Sequence, residues 1–299
     1  MRKLSLSIFG FGLLLIGGLS SCQKEDVGIS DESIFQSNTA DIQTYATSKG
    51  LSGTMTTTGT YYALTKAGSS VVTPANGQEV EYSYSIYALT RSTTNSALVV
   101  DSFVDSTYAS KSNYAYLVST NPGLTEGLLR MREGDEAVIL LPSAYAFGTN
   151  GSNDGKVPPN APIRINVTLK RIRTEDQQIN EYMTANKLTP TEVTLTGLRF
   201  IKTLDNPKGI TPTANQTLSV KYRGQLLRAK TAFDSTGTGT YSTTLGRSIP
   251  GFDEGLAKLK TGEKATIIIP SKIGYGTTGN GSIPPYAPMR FDIELVSAQ

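Results

Sequence analysis

The stretch Gly274-Tyr275-Gly276-Thr277-Thr278-Gly279 matches G-x-G-x-x-G and follows an apolar run, which is half the context of a loop that cradles a dinucleotide. The other half is missing. A helix must begin there to hold a pyrophosphate, and Asn280-Gly281-Ser282-Ile283-Pro284-Pro285 cannot continue as one. What remains is a tyrosine on a glycine-rich loop, a setting where functional side chains concentrate. Composition removes most other chemistry. The 299 residues contain no histidine and one cysteine, so histidine or cysteine metal clusters and a histidine-activated nucleophile are excluded. A serine with a lysine base stays open by composition, and nothing recommends one. Formal charge is only +3, and Arg2 and Lys3 belong to a leader described below, so there is no basic field for nucleic acid. No metal and no cofactor is expected.

The loop has to be held by its neighbours. Pro250 suits a first helical turn, Asp253 and Glu254 follow near the N-terminus, and Phe252, Leu256 and Leu259 fall at i, i+4 and i+7. This predicts one short helix with one apolar stripe, stopped at Thr261-Gly262. Ala265 to Ile269 reads as a buried β-branched strand. Met289, Phe291, Ile293 and Leu295 alternate with Arg290, Asp292 and Glu294, as in a half-buried one.

These residues carry a resemblance. Ile249-Pro250-Gly251-Phe252-Asp253-Glu254-Gly255-Leu256, then Ile273-Gly274-Tyr275-Gly276, then Ile283-Pro284-Pro285-Tyr286-Ala287-Pro288-Met289 with the strand to Leu295, resemble three linked motifs of the FKBP-type peptidyl-prolyl isomerases. Upstream, Val220-Lys221-Tyr222-Arg223-Gly224 is similar to that family's V-x-Y-x-G strand and Phe233-Asp234-Ser235-Thr236 to its F-D-S-[ST] segment. The resemblance runs from Leu218 to Gln299. It implies an α+β fold, an antiparallel sheet curled around one short helix, and cis–trans isomerisation of X-Pro bonds in proline-containing polypeptides.

That reaction suits a chain without histidine. Rotation about an amide faces a barrier of ~18–20 kcal/mol that comes from resonance, and it needs neither nucleophile nor permanent proton transfer. The twisted amide is less polar than the planar one, so a dry apolar cleft with a few donors for the flanking carbonyls favours it. A ten-thousandfold acceleration requires about 5–6 kcal/mol. Carried over position by position, the resemblance makes Phe252 the pocket floor and Tyr222, Phe233, Tyr241 and Phe291 its aromatic walls. Ile249 and Ile283 close the sides, Tyr275 offers its hydroxyl, the Ile249 N–H holds a substrate carbonyl, and Asp234 orients Tyr222 at the rim. Tyr241 has no fixed register, because the segment from Gly237 to Ser248 is short. Phe291 lies on a strand that is buried in any case, and core packing is its alternative role.

The chain opens on an export device. Arg2 and Lys3 precede an apolar run from Leu4 to Leu19 that is shorter than the ~20 residues of a membrane span, which predicts a signal peptide over 1–21. Leu19-Ser20-Ser21-Cys22 resembles the lipobox of bacterial lipoproteins and implies lipidation at Cys22, with the protein held on a membrane without crossing it. Residues 22–40 are polar without hydrophobic period and read as a tether. Gln23-Lys24-Glu25-Asp26 resembles the export signal of Bacteroidetes surface lipoproteins, while a plain linker would leave the protein facing the periplasm. An outer-membrane anchor is expected, its face undecided.

The chain also repeats itself. Asp41 to Tyr45 answers Gln178 to Tyr182 at an offset of 137, Thr58-Gly59 answers Thr196-Gly197 and Tyr84 answers Tyr222 at 138, and Pro122 to Leu128 answers Pro250 to Leu256 at 128. The first copy thus carries ten more residues between these landmarks, around Thr90 to Ala97. Further on, Ser143 to Gly148 answers Ser271 to Gly276, and Val157 to Pro162 answers Ile283 to Pro288. This predicts two tandem FKBP-like domains, 41–173 and 190–299, each preceded by a helical segment, with 174–189 a linker helix. In that helix Ile179, Tyr182 and Met183 share a face, with Thr174 and Asp176 as caps. A spacer is the simpler reading of it and a homodimer contact the alternative.

The first copy departs from the pattern at the site. Phe252 becomes Leu124, Tyr275 becomes Phe147, Phe291 becomes Ile165, Phe233 becomes Val104 and Ile249 becomes Asn121, while Tyr84 and Asp105 keep their types. A folded domain of little or no activity is expected. Two functions follow, a membrane-anchored isomerase or a non-catalytic binding scaffold in an envelope assembly.

Overall fold

The computed structural model describes residues 32–107, 111–117 and 122–299. The signal peptide, Cys22 and Asn121 lie outside them. The chain divides into two compact units, one ending at Ile172 and one running from Arg173 to Gln299. The first contains α1 (Glu32–Ser48), β1 (Thr54–Met55), β2 (Tyr61–Lys66), β3 (Glu79–Arg91), β4 (Val99–Ser106), β5 (Asn113–Tyr116), α2 (Pro122–Leu128), β6 (Glu136–Leu141) and β7 (Ile163–Arg173). The second contains α3 (Glu175–Ala185), β8 (Glu192–Val193), β9 (Arg199–Leu204), β10 (Thr217–Leu226), β11 (Asp234–Ser235), β12 (Tyr241–Thr244), α4 (Pro250–Ala257), β13 (Lys264–Ile269) and β14 (Met289–Ala298).

Both units have one topology. The strand orders are β1-β2-β6-β7-β3-β4 with β5 on β3, and β11-β10-β14-β13-β9-β8 with β12 on β10. The expected α+β class and the duplication are both present. Along β14, Met289, Phe291, Ile293 and Leu295 are buried and Arg290, Asp292 and Glu294 half-buried, as their alternation predicts.

The short helices lie against the inner faces because glycines let them. A Cβ on Gly251 would stand 2.5 Å from Ile269 and one on Gly255 2.7 Å from Ile267; Gly123 and Gly127 bear the same relation to Leu141 and Ile139. The spacing i, i+4 turns one bare helix stripe onto one strand. The threonine landmarks of the repeat also have a function in both units. Thr58 donates to Glu126 at 2.6 Å and Thr196 to Glu254 at 2.7 Å, tying the loop before the second strand to the short helix.

Two expectations about the helical prefaces are corrected. The 22–40 tether is helical from Glu32 onward, and the 174–189 segment is not a spacer, because α1 and α3 each cover the outer face of their own sheet. Ile42, Tyr45 and Ala46 pack with Tyr61, Ala63, Leu89, Val99, Val138 and Leu140. Ile179 and Met183 pack with Ile201 and Ile268. This explains why β6 and β13 are continuous apolar runs. Ile267 and Ile269 face α4 while Ile268 faces α3, so both sides are dry. Each helix is pinned by a tyrosine and an arginine: Arg164 donates to the Tyr45 hydroxyl at 2.5 Å and Arg290 to the Tyr182 hydroxyl at 3.0 Å. The residues peculiar to the first copy lengthen the β3–β4 hairpin, whose Asp101 accepts from both Tyr45 and Arg164 (2.7 Å from the latter) and whose Arg91 pairs with Asp41 at 2.5 Å.

Candidate active site

In the second unit four strands, one helix and two loops converge on the inner face. Tyr222 on β10 is the hub. Its ring lies 5.6 Å from Phe252, 6.1 Å from Phe291 and 6.0 Å from Tyr241, centroid to centroid. Phe252 and Phe291 are 5.3 Å apart, and Phe233 stands 5.6 Å from Phe291. Four of these five contacts are edge-to-face, the arrangement the ring quadrupole favours. Phe252 and Phe291 are 4% and 5% exposed, forming a floor, whereas Tyr241 at 42% is a rim residue. The structure therefore brings Tyr241 into the cluster, and the β10–β12 register, Val220 opposite Tyr241, fixes what the sequence left floating.

The polar groups sit around these rings. The Tyr222 hydroxyl donates to Asp234 Oδ2 at 2.6 Å. Burial first, and then the Asp234 carboxylate, raise the Tyr222 phenol well above its ordinary range, so it stays protonated. Tyr275 makes no ring contact among the described residues, yet it is near enough to contribute to the same shift. Ile249 is the N-cap of α4, extended at φ −63 and ψ 144, and among the described residues no acceptor takes its N–H. Ile283 is buried at 5% exposure on the loop between β13 and β14.

Residues 71–170 and 208–296 match the model of the FKBP-type peptidyl-prolyl cis-trans isomerase family. The chain belongs to that family. Human peptidyl-prolyl cis-trans isomerase FKBP9 is 33% identical over 180 residues, 58% of this chain and 28% of FKBP9. FK506-binding protein 1B of Neurospora crassa is 43% identical over 101 residues, 30% of this chain and 89% of that protein. The crystal structure of FkpA from Escherichia coli is 31% identical, covering 42% of this chain and 59% of that chain at a TM-score of 0.38. The chain thus spans under a third of the length of FKBP9.

Two residues of this FKBP-type site, present in the matched motifs, have roles that the sequence did not assign. Gly224 lies opposite Phe291 in the β10–β14 register, and a Cβ there would stand 2.6 Å from the Phe291 ring and 2.8 Å from that of Phe233. The missing side chain is the space those rings occupy. The first copy has Ile86 at this position, a difference visible once Tyr84 is aligned with Tyr222. Asp253, read only as a helix-terminal acid, accepts from the N–H groups of Gly246 at 3.0 Å and Ser248 at 3.1 Å. It fixes the turn that leads into Ile249, at the cost of a burial that raises its carboxyl.

The first unit keeps the frame and fills the hollow. Tyr84 still donates to Asp105, at 3.0 Å. Tyr84 is 8% exposed, Val104 6%, Leu124 4%, Ile165 1% and Val157 1%, and Phe147 packs against the same core. Asn113 occupies the register position of Tyr241, opposite Tyr82, and bonds to Tyr84. The Lys156 ammonium donates to the Val104 carbonyl at 3.2 Å.

Proposed function

We propose that the second unit catalyses cis–trans isomerisation of X-Pro bonds in exported polypeptides, a step that takes tens of seconds uncatalysed. The carrying observation is the interlocked set of Tyr222, Phe252 and Phe291, closed at the rim by Tyr241 and Phe233. Phe252 receives the proline ring. The aromatic walls replace water around the amide, which favours the twisted, less polar form. The free Ile249 N–H and the Tyr275 hydroxyl hold the flanking carbonyls, and Asp234 keeps the Tyr222 ring in place through its hydroxyl. None of these steps moves a proton permanently.

The lipobox-like Leu19-Ser20-Ser21-Cys22 supports a lipid anchor on the cell envelope, with the outer membrane as its site. Among the described residues no helix is long and apolar enough to cross a membrane. The first unit serves to hold clients or to space the isomerase from the surface, because its hollow is occupied by its own side chains. That filling also favours the second reading, an FKBP-like scaffold in which turnover is incidental. A peptide isomerisation assay on the full chain separates them. Acceleration by the wild-type chain that vanishes with Phe252→Leu/Phe291→Ile supports the enzyme, and a wild-type chain no faster than buffer leaves the scaffold. Cys22→Ser is expected to release the protein from the membrane fraction.

A further inference from the structure

Among the described hydrogen bonds, a carboxylate on the outer helix reaches the loop that carries Tyr275. Glu175 opens α3, and its Oε1 accepts from the Ser271 N–H at 2.5 Å. Ser271 is 6% exposed. The Ser271 carbonyl in turn takes the N–H of Gly274 at 2.9 Å and of Gly276 at 2.8 Å, the two residues that flank Tyr275. A chain of three peptide contacts therefore runs from Glu175 to the backbone on both sides of the tyrosine. The helix end of that chain is anchored independently. Thr174 and Gln177 form a capping box, Ile179 and Met183 are packed on the sheet, and Tyr182 is held by Arg290. The carboxyl is itself costly to keep, since burial raises it against the Ser271 bonds that lower it. In the first unit Asn38 does the corresponding work, accepting from the Ser143 N–H at 2.6 Å, and the flanked residue is Phe147, which has no hydroxyl to aim.

Resting on the isomerase reading above, we infer that Glu175 is a positioning residue for Tyr275: by fixing Ser271 it sets where the Tyr275 hydroxyl meets a substrate carbonyl. The helix that begins two residues past the unit boundary is then part of the catalytic apparatus of the second unit.

The test is a double-mutant cycle on the full chain, reading kcat and KM for a prolyl peptide alongside the melting temperature. Glu175→Ala is expected to lower kcat/KM by up to about fivefold, the size of the one neutral hydrogen bond that the Tyr275 hydroxyl would make, mainly in kcat. Glu175→Gln, which keeps an acceptor oxygen, recovers to within about twofold. In a Tyr275→Phe background Glu175→Ala costs less than about twofold more, because the hydroxyl it aims is gone. Equal losses from Glu175→Ala in both backgrounds would mean general loosening and overturn the inference, as would full activity in Glu175→Ala when Tyr275→Phe is impaired. A Tyr275→Phe chain as active as wild type would instead strike at the role of Tyr275, and the coupling would fall with it.

Discussion

The two hollows are built on one frame and differ in how their volume is used. In the second unit Gly224 surrenders its side-chain space to the rings of Phe233 and Phe291. In the first, Ile86, Val104 and Ile165 are buried in one core with Tyr84, itself only 8% exposed. Tyrosine and carboxylate persist in both, at 2.6 and 3.0 Å. The hydroxyl–carboxylate pair is thus compatible with a filled core, and what distinguishes the second unit is a set of large flat rings that meet edge to face, with Tyr222, Phe233 and Tyr241 partly open to solvent above the buried Phe252 and Phe291.

The hardest blow to that comparison is to give the second unit the residues of the first. Phe252→Leu with Phe291→Ile removes the floor and one wall, and kcat/KM is expected to fall about a hundredfold, ~3 kcal/mol of lost apolar contact. A peptide assay with a melting curve on the same sample separates lost catalysis from lost folding. Tyr275→Phe, the first unit's Phe147 in the second, is expected to cost about fivefold, one hydrogen bond to a carbonyl. Asp234→Ala leaves Tyr222 without its partner and costs about threefold, with little change in KM. Because burial and Asp234 push the Tyr222 phenol upward, it does not titrate below its ordinary range near ~10. With no histidine in the chain, wild-type kcat/KM should be flat between about pH 6 and 9. A bell-shaped profile there would show that a titrating group takes part. The smallest effect is expected from the reverse graft. Leu124→Phe with Phe147→Tyr should add no more than about twofold to the total rate in a chain whose second site is disabled, since Ile86 and Val104 still occupy the hollow and a larger ring strains the packing.

Much of the second unit was legible because its chemistry is written in side chains at fixed spacings. Phe252, Leu256 and Leu259 gave the helix, the alternation from Met289 to Leu295 gave the strand, and the linked motifs gave the ring positions now seen in contact. What escaped was encoded by absence or by polar burial. Gly224 matters for a side chain it lacks. Residues 32–40 read as a tether because the buried position in the middle is Asn38, and it is dry only because its amide accepts from Ser143 and donates to the Asn160 carbonyl at 2.9 Å. No hydrophobic period reports such a residue. Asp253 was hidden for a similar reason, since its partners are backbone N–H groups five and seven residues upstream, which carry no type.

The two-sided burial of β13 has a practical sequel. Excising the second unit at residue 190, the boundary expected from the sequence, would peel α3 away and leave Ile201 and Ile268 wetted. Such a fragment invites self-association through its bared back, whereas one cut at Arg173 keeps its own cover and its hold on Ser271. The smallest autonomous piece of this molecule is therefore longer than its signature motifs.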